Sequence, residues 1–214
     1  HGFARTSPWQ LLTPPSQQGD VVVCELELTH SSETEKVWPY LFSAKYVITL
    51  SETALNLNLR IKNTGSTSFT FTAALHSYFN ISALENISLE GLHQQSYWDN
   101  DGSDFSNRKK DSKKTLYISD ALDRVYFDVK TPLNLADKNL SGKPLTIAQT
   151  GFNDVVVWNP GKAATENMQD MANNEYQNML CVEAALIDNP ISLNAGEEWT
   201  GFQMLESCST NKNG

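Results

Sequence analysis

One carboxylate in an apolar run is the least expected residue of this sequence. Glu183 stands in Met179-Leu180-Cys181-Val182-Glu183-Ala184-Ala185, and glutamate is almost never fully buried unless it is paired. Desolvation raises a carboxyl pKa and makes a proton acceptor near neutral pH, whereas a cationic partner pulls it back. A strand-end carboxylate bridged to an arginine is the competing reading. His76 is the second candidate, in Phe69-Thr70-Phe71-Thr72-Ala73-Ala74-Leu75-His76-Ser77-Tyr78-Phe79. On one regular strand, parity sets Phe69, Phe71, Ala73 and Leu75 on one side, and His76 with Thr70, Thr72, Ala74 and Tyr78 on the other. That second face is polar and uncharged up to the histidine, as a hydroxyl-binding cleft would be. A hydrogen-bonded structural histidine is the alternative.

Other residues could bind rather than react. Arg5, in His1-Gly2-Phe3-Ala4-Arg5, can fork two donors onto a phosphate or carboxylate, or be an ordinary surface arginine. Asp123-Arg124 heads a strand and could orient sugar hydroxyls, or be a solvated pair. Trp158 and Trp199 could stack on a sugar ring, although core packing is the commoner use of a buried tryptophan. The sequence has no P-loop, GxGxxG, HExxH or GxSxG motif. Its four histidines, His1, His30, His76 and His93, are scattered and indicate no metal site. A reaction without metal or cofactor fits this inventory.

The elements that must position these groups are strands. Val21 to Leu28, Tyr46 to Leu50, and Leu55 to Lys62 carry period-2 or β-rich apolar patterns, and Phe69 to Leu75 resumes after Asn63-Thr64-Gly65-Ser66. Further strands are expected at 125–129, 145–148, 155–158 and 179–185, with a last one opening at Gly196-Glu197-Glu198-Trp199. Asn159-Pro160-Gly161 reads as a turn, and 170–177 as a short helix or irregular loop. The charge-dense stretch from Asp99 to Lys114 reads as a solvated excursion. Turn-separated strands of this kind build an antiparallel sandwich.

Length and charge bound the rest. The 214 residues fit a single β domain over 1–214, with 40% hydrophobic and 10% aromatic residues as in a globular protein. A formal charge of −9 argues against nucleic acid, whose phosphates demand clustered Lys and Arg. It leaves room for a small phosphorylated ligand, because fields are screened over about 8 Å and nearby arginines outweigh distant carboxylates. No stretch is apolar enough to span a bilayer, and no signal peptide is visible. The three cysteines, Cys24, Cys181 and Cys208, form no CxxC pair and suggest free thiols in a reducing compartment. A cytoplasmic monomer is expected.

The segments His1–Arg5, Lys36-Val37-Trp38-Pro39, Ala74-Leu75-His76-Ser77-Tyr78-Phe79-Asn80, Asp123-Arg124-Val125-Tyr126, Val155-Val156-Val157-Trp158-Asn159-Pro160, Cys181-Val182-Glu183 and Gly196-Glu197-Glu198-Trp199-Thr200-Gly201 resemble, in order, the glucose-6-phosphate 1-epimerase (hexose-6-phosphate mutarotase) branch of the aldose 1-epimerase superfamily. The resemblance implies an all-β, galactose mutarotase-like antiparallel β-sandwich and a cofactor-independent isomerase that interconverts α and β anomers of hexose 6-phosphates. It assigns Glu183 as general base on the anomeric hydroxyl and His76 as general acid on the ring oxygen. It assigns Arg5 to the 6-phosphate and Asp123 to substrate, with His1 near the pocket. Residues 76 and 183 must then meet across a hollow about one sugar ring wide. Members of this branch usually carry several tens of residues before the His-Gly-Phe-Ala-Arg motif, including a second phosphate-binding arginine. The resemblance is therefore to a member lacking its early strands. A non-catalytic sugar-binding sandwich and a mutarotase of unphosphorylated aldoses are the alternatives.

Overall fold

In a computed structural model, described for residues 1–140 and 144–207, the chain folds into two antiparallel β-sheets. Cys208 lies outside the described residues. The strands in chain order are β1 (Gln10–Gln18), β2 (Val21–Thr29), β3 (Phe42–Leu50), β4 (Ala54–Asn63), β5 (Phe69–Leu75), β6 (Tyr78–Asn80), β7 (Ile87–Glu90) and β8 (Ser96–Asp99). They continue with β9 (Lys109–Lys110), β10 (Thr115–Leu116), β11 (Leu122–Tyr126), β12 (Leu133–Asp137), β13 (Leu145–Thr150), β14 (Asp154–Asn159), β15 (Met179–Leu193) and β16 (Glu198–Ser207). The first sheet runs β1-β2-β3-β4-β16-β13-β12-β7-β10, and the second runs β5-β15-β14-β11-β8-β9 with β6 also paired to β15.

The two sheets share their core. Val155, Val157, Leu180 and Val182 of the second sheet pack with Leu89, Leu133, Leu135 and Ile147 of the first. Phe69, Phe71, Ala184, Leu186 and Leu193 pack with Leu28, Phe42, Ala44 and Leu59 in a second cluster. Strand parity explains the split. In β5, Phe69 and Phe71 are buried while Thr70, Thr72 and Ala74 are exposed, so one side feeds the core and the other is left outward. The expected strands are present, several of them longer: β3 begins at Phe42 and β15 runs to Leu193. β11 is displaced toward the N-terminus and ends at Tyr126, and Asp128 takes a left-handed φ of 51°.

β15 reaches its length through an irregularity between Leu186 and Ile191 in its pairing with β5. Pro190 cannot donate to the ladder there, and the buried Asp154 carboxylate instead accepts the Ile187 and Asp188 N–H groups, both at 2.8 Å. The expected turn at Asn159-Pro160-Gly161 leads into a short helix, α1 (Gly161–Thr165). The Asn159 side chain fixes this corner, accepting from the Gly161 N–H at 2.8 Å and donating to the carbonyls of Tyr176 and Met179. The stretch from Asp99 to Lys114 departs from a purely solvated loop. The Arg108 guanidinium lies 3.4 Å from the Phe127 ring centroid and pairs with Asp188 at 2.6 Å. Asp111 is buried and accepts from the Tyr126 hydroxyl at 3.1 Å.

Candidate active site

β5 stops at Leu75 because the chain makes a tight bend at His76. The Ser77 N–H donates to the Leu75 carbonyl at 2.9 Å, a three-residue turn with the histidine at its centre. The register nevertheless carries across the interruption. Leu75 faces Ala184 and Tyr78 faces Cys181, so His76 stands opposite Glu183 on the neighbouring strand. Directly opposed positions of an antiparallel pair project their side chains on the same face. The row extends over β14 and β11, with Val156 beside Glu183 and Val125 beside Val156. A second row on the same face holds Tyr78, Cys181, Trp158 and Asp123. This is the outward face of the second sheet, away from the shared core.

His76 Nδ1 lies 3.5 Å from Glu183 Oε1, with side-chain exposures of 25% and 8%. The two groups are therefore shoulder to shoulder on adjacent strands, closer than a sugar ring's width, rather than across a hollow. Neighbouring strands lie only about 4.8 Å apart, and the register leaves no intervening residue. His76 Nδ1 is buried and has no hydrogen-bond partner among the described residues. Burial pushes the Glu183 carboxyl up to about 7, and the Asp123 carboxylate adds to the rise. Burial lowers the His76 pKa, and the Arg5 cation lowers it further. Asp123 is also raised by burial, opposed by the hydrogen bond from Asn100 Nδ2 to Asp123 Oδ2 at 2.9 Å.

The other expected site residues sort themselves by strand parity and packing. His1 lies with its ring centroid 5.4 Å from that of His76. Arg5 is exposed in a 3-10 turn, Phe3–Arg5, close enough to act on both His76 and Tyr78. Phe3 anchors this turn against Trp38 and Phe42 at 6.1 and 5.8 Å. Asp123 and Arg124, adjacent on one strand, separate to opposite faces: Asp123 joins the His76 face. Arg124 pairs with Asp99 at 2.6 Å and reaches Tyr126. Trp158 meets the site edge-on to His76, at 5.9 Å. Trp199 packs edge-on to Phe71 and Phe152, in the core.

Three participants escaped the sequence. Tyr78 stacks on His76 with centroids 4.6 Å apart and planes 6° from parallel, and is 57% exposed. Cys181 sits fully buried within this constellation, its thiol pKa raised by burial. Its sulfur, a His76 nitrogen and a Glu183 oxygen lie within 4.8 Å of one another. Gln203, on β16 of the opposite sheet, is fully buried and accepts from Ser77 Oγ at 2.7 Å. Its amide also donates to the Val182 carbonyl at 3.4 Å. It thereby ties the residue after His76 to the residue before Glu183. The available signal was a lone amide in phase with Trp199, Gly201 and Leu205.

An arrangement of one buried carboxylate and one imidazole, ringed by hydroxyl, aromatic and cationic groups, suits proton transfer to and from a small polar molecule. The family described as aldose 1-epimerase matches residues 1–206. A protein of Cenchrus ciliaris, provisionally named glucose-6-phosphate 1-epimerase, is 33% identical over 208 residues, covering 94% of this chain and 62% of its own length. An Escherichia coli protein of the same provisional name is 31% identical over 191 residues, covering 86% and 60%. A Salmonella typhimurium crystal structure, provisionally titled a mutarotase, superposes with a TM-score of 0.82 at 25% identity, covering 96% of this chain and 67% of that one. The chain thus spans under two thirds of the curated relatives it matches, and its antiparallel β-sandwich is of the galactose mutarotase-like kind. With the family match running from His1 through nearly all of β16, this chain belongs to the aldose 1-epimerase family.

Proposed function

We propose that this chain catalyses anomer interconversion of hexose 6-phosphates, glucose 6-phosphate foremost, without a cofactor. The reading rests on one observation above the others: His76 and Glu183 stand side by side, 3.5 Å apart, on the outward face of the sheet. The anomeric hydroxyl oxygen and the ring oxygen are bonded to one carbon, so adjacent proton-transfer groups can serve both. The Glu183 carboxylate takes the hydroxyl proton. The new C1=O1 bond forms as the C1–O5 bond breaks, and His76 gives a proton to the departing ring oxygen. Rotation about C1–C2 and the reverse transfers close the ring on the other face. Each group contributes about 10²–10⁴-fold. Arg5 is assigned to the 6-phosphate, Asp123 to sugar hydroxyls, and His1 to the pocket rim.

The curated relatives' names support the phosphate. We read residues 1–214 as a single unit, a cytoplasmic monomer with neither nucleic acid nor membrane as partner. Cys24 and Cys181 are free, and no helix among the described residues is long and apolar enough to cross a membrane. The test is the relaxation of freshly dissolved α-glucose 6-phosphate, followed by polarimetry. Glu183→Gln and His76→Asn are each expected to remove the acceleration while the circular dichroism of the sheets persists. Equal rates in parent and variants would overturn the assignment. Arg5→Ala is expected to raise KM for glucose 6-phosphate at least tenfold and leave the rate on glucose unchanged. An unaltered preference would remove Arg5 as the phosphate anchor.

A further inference from the structure

Three ligating atoms of different chemistry converge on the outward face of β15 and the bend at His76. The sulfur of Cys181, a ring nitrogen of His76 and a carboxylate oxygen of Glu183 all lie within 4.8 Å of one another. Nothing in proton transfer requires the thiol. Two further observations point to an absent partner for this trio. His76 Nδ1 is buried and makes no hydrogen bond among the described residues. Glu183 is only 6% exposed, yet among the described residues the group within ion-pair distance of its carboxylate is that same nitrogen, at 3.5 Å. Buried polar groups are ordinarily satisfied, and exceptions call for a missing ion, water or function.

We infer that His76, Cys181 and Glu183 form a binding site for one Zn²⁺ ion, which would hold the epimerase pair in an inactive state. Zinc accepts imidazole, thiolate and carboxylate together, with three protein ligands leaving a fourth position open. Two light ligands about 2.0–2.1 Å from a tetrahedral zinc ion stand about 3.3 Å apart, and the observed Nδ1–Oε1 separation of 3.5 Å is close to that edge. The softer sulfur discriminates against Mg²⁺ and Ca²⁺, which prefer oxygen ligands throughout. The register supplies the trio. Glu183 and Cys181 are two apart on β15 and share a face, and His76 is the residue opposite Glu183. The inhibitory consequence rests on the catalytic reading of the same residues; the binding itself does not.

Cobalt(II), which replaces zinc and reports sulfur ligation by a thiolate-to-cobalt charge-transfer absorption, tests the site on the full chain in the absence of sugar. One Co²⁺ per chain is expected to produce that band, Zn²⁺ to displace it, and Mg²⁺ to leave it unchanged. Cys181→Ser is expected to abolish the band, whereas Cys24→Ser combined with Cys208→Ser retains it. Because Cys181 is buried, a second variant guards against a folding artefact. His76→Asn, at the solvent-facing edge, is expected to weaken cobalt binding at least tenfold with unchanged circular dichroism. No saturable binding, a band surviving Cys181→Ser, or an affinity unmoved by His76→Asn would each overturn the site. With the site intact, stoichiometric Zn²⁺ is expected to slow anomer exchange at least tenfold, with recovery on chelation. Metal binding by a chain that never accelerates exchange would count against the epimerase reading and leave the zinc site standing.

Discussion

Glu183 carries the cost of its position. A folded-state value near 7, against an ordinary 4.5, means that the folded protein holds this proton more tightly than the unfolded chain. Stability from this group is thus fully present below about pH 4.5 and is lost as pH rises through about 7, by up to roughly 3 kcal/mol. Glu183→Gln removes the ionisation, so the variant is expected to melt at a higher temperature than the parent at pH 8, with the gap closing by pH 4. Thermal unfolding at the two pH values checks it, and a gap independent of pH would show that the carboxylate is not desolvated. On the proposed mechanism, catalysis needs the Glu183 carboxylate ionised and the His76 imidazole protonated. Burial raises the first to about 7 and lowers the second below its ordinary value, so the reactive form lies between two limbs and the alkaline limb of kcat/KM is expected to have its midpoint near 7. Asp123 raises that midpoint by its negative charge. Asp123→Asn is therefore expected to move the alkaline limb to lower pH, a displacement that mere loss of a substrate contact would not produce.

Strand pairing converts these residues into a site. The bend at His76 interrupts β5 without shifting the register to β15, and Gln203 secures both sides of the interruption from the opposite sheet. A net hydrogen bond contributes about 1 kcal/mol, and here that bond also fixes where the imidazole sits. Gln203 is a positioning residue, since it touches Ser77 and the Val182 backbone rather than the reacting groups. Gln203→Met, of similar volume, is expected to lower kcat several-fold with little change in KM, and to broaden the cobalt titration of the His76–Cys181–Glu183 trio. A variant that loses stability alone, with kcat per folded molecule intact, would reduce Gln203 to a core amide. The alternation in β5 was legible from Phe69, Phe71, Thr70 and Thr72, because one face of that strand is buried and the other is not. The bend was not, since His-Ser after Leu75 carries none of the usual Gly or Pro punctuation.

Across the molecule, the two sheets divide the labour. Their facing sides bury two apolar clusters, and the outward side of the second sheet carries His76, Tyr78 and Asp123. The N-terminal turn crosses to that side, held by Phe3 on Trp38 and Phe42, and brings Arg5 and His1 near His76. If Arg5 holds the phosphate as proposed, it does so from an exposed position, so its effect is expected to weaken with salt. Raising ionic strength is expected to increase KM for glucose 6-phosphate in the parent and to leave Arg5→Ala nearly unmoved. Steady-state kinetics at two salt concentrations decide it. An equal response in both proteins would place the phosphate elsewhere.

By itself the sequence determined the class of element and the oddity of particular residues. Period-2 patterning specifies strands because successive side chains must alternate between core and solvent, and a lone glutamate among Val182, Ala184 and Ala185 is conspicuous whatever the fold. It read Asp123-Arg124 as one pair at the head of a strand; the folded sheet set Asp123 on the His76 face and turned Arg124 to Asp99. Tertiary structure alone decided who meets whom. The partner of residue 183 depends on which strand pairs with β15 and in what register, and that choice is made by packing summed over both sheets rather than by the local pattern around either residue. The same long-range pairing brought Cys181 beside the pair, set it and Tyr78 on the outward face, and ran Gln203 beneath them from the other sheet.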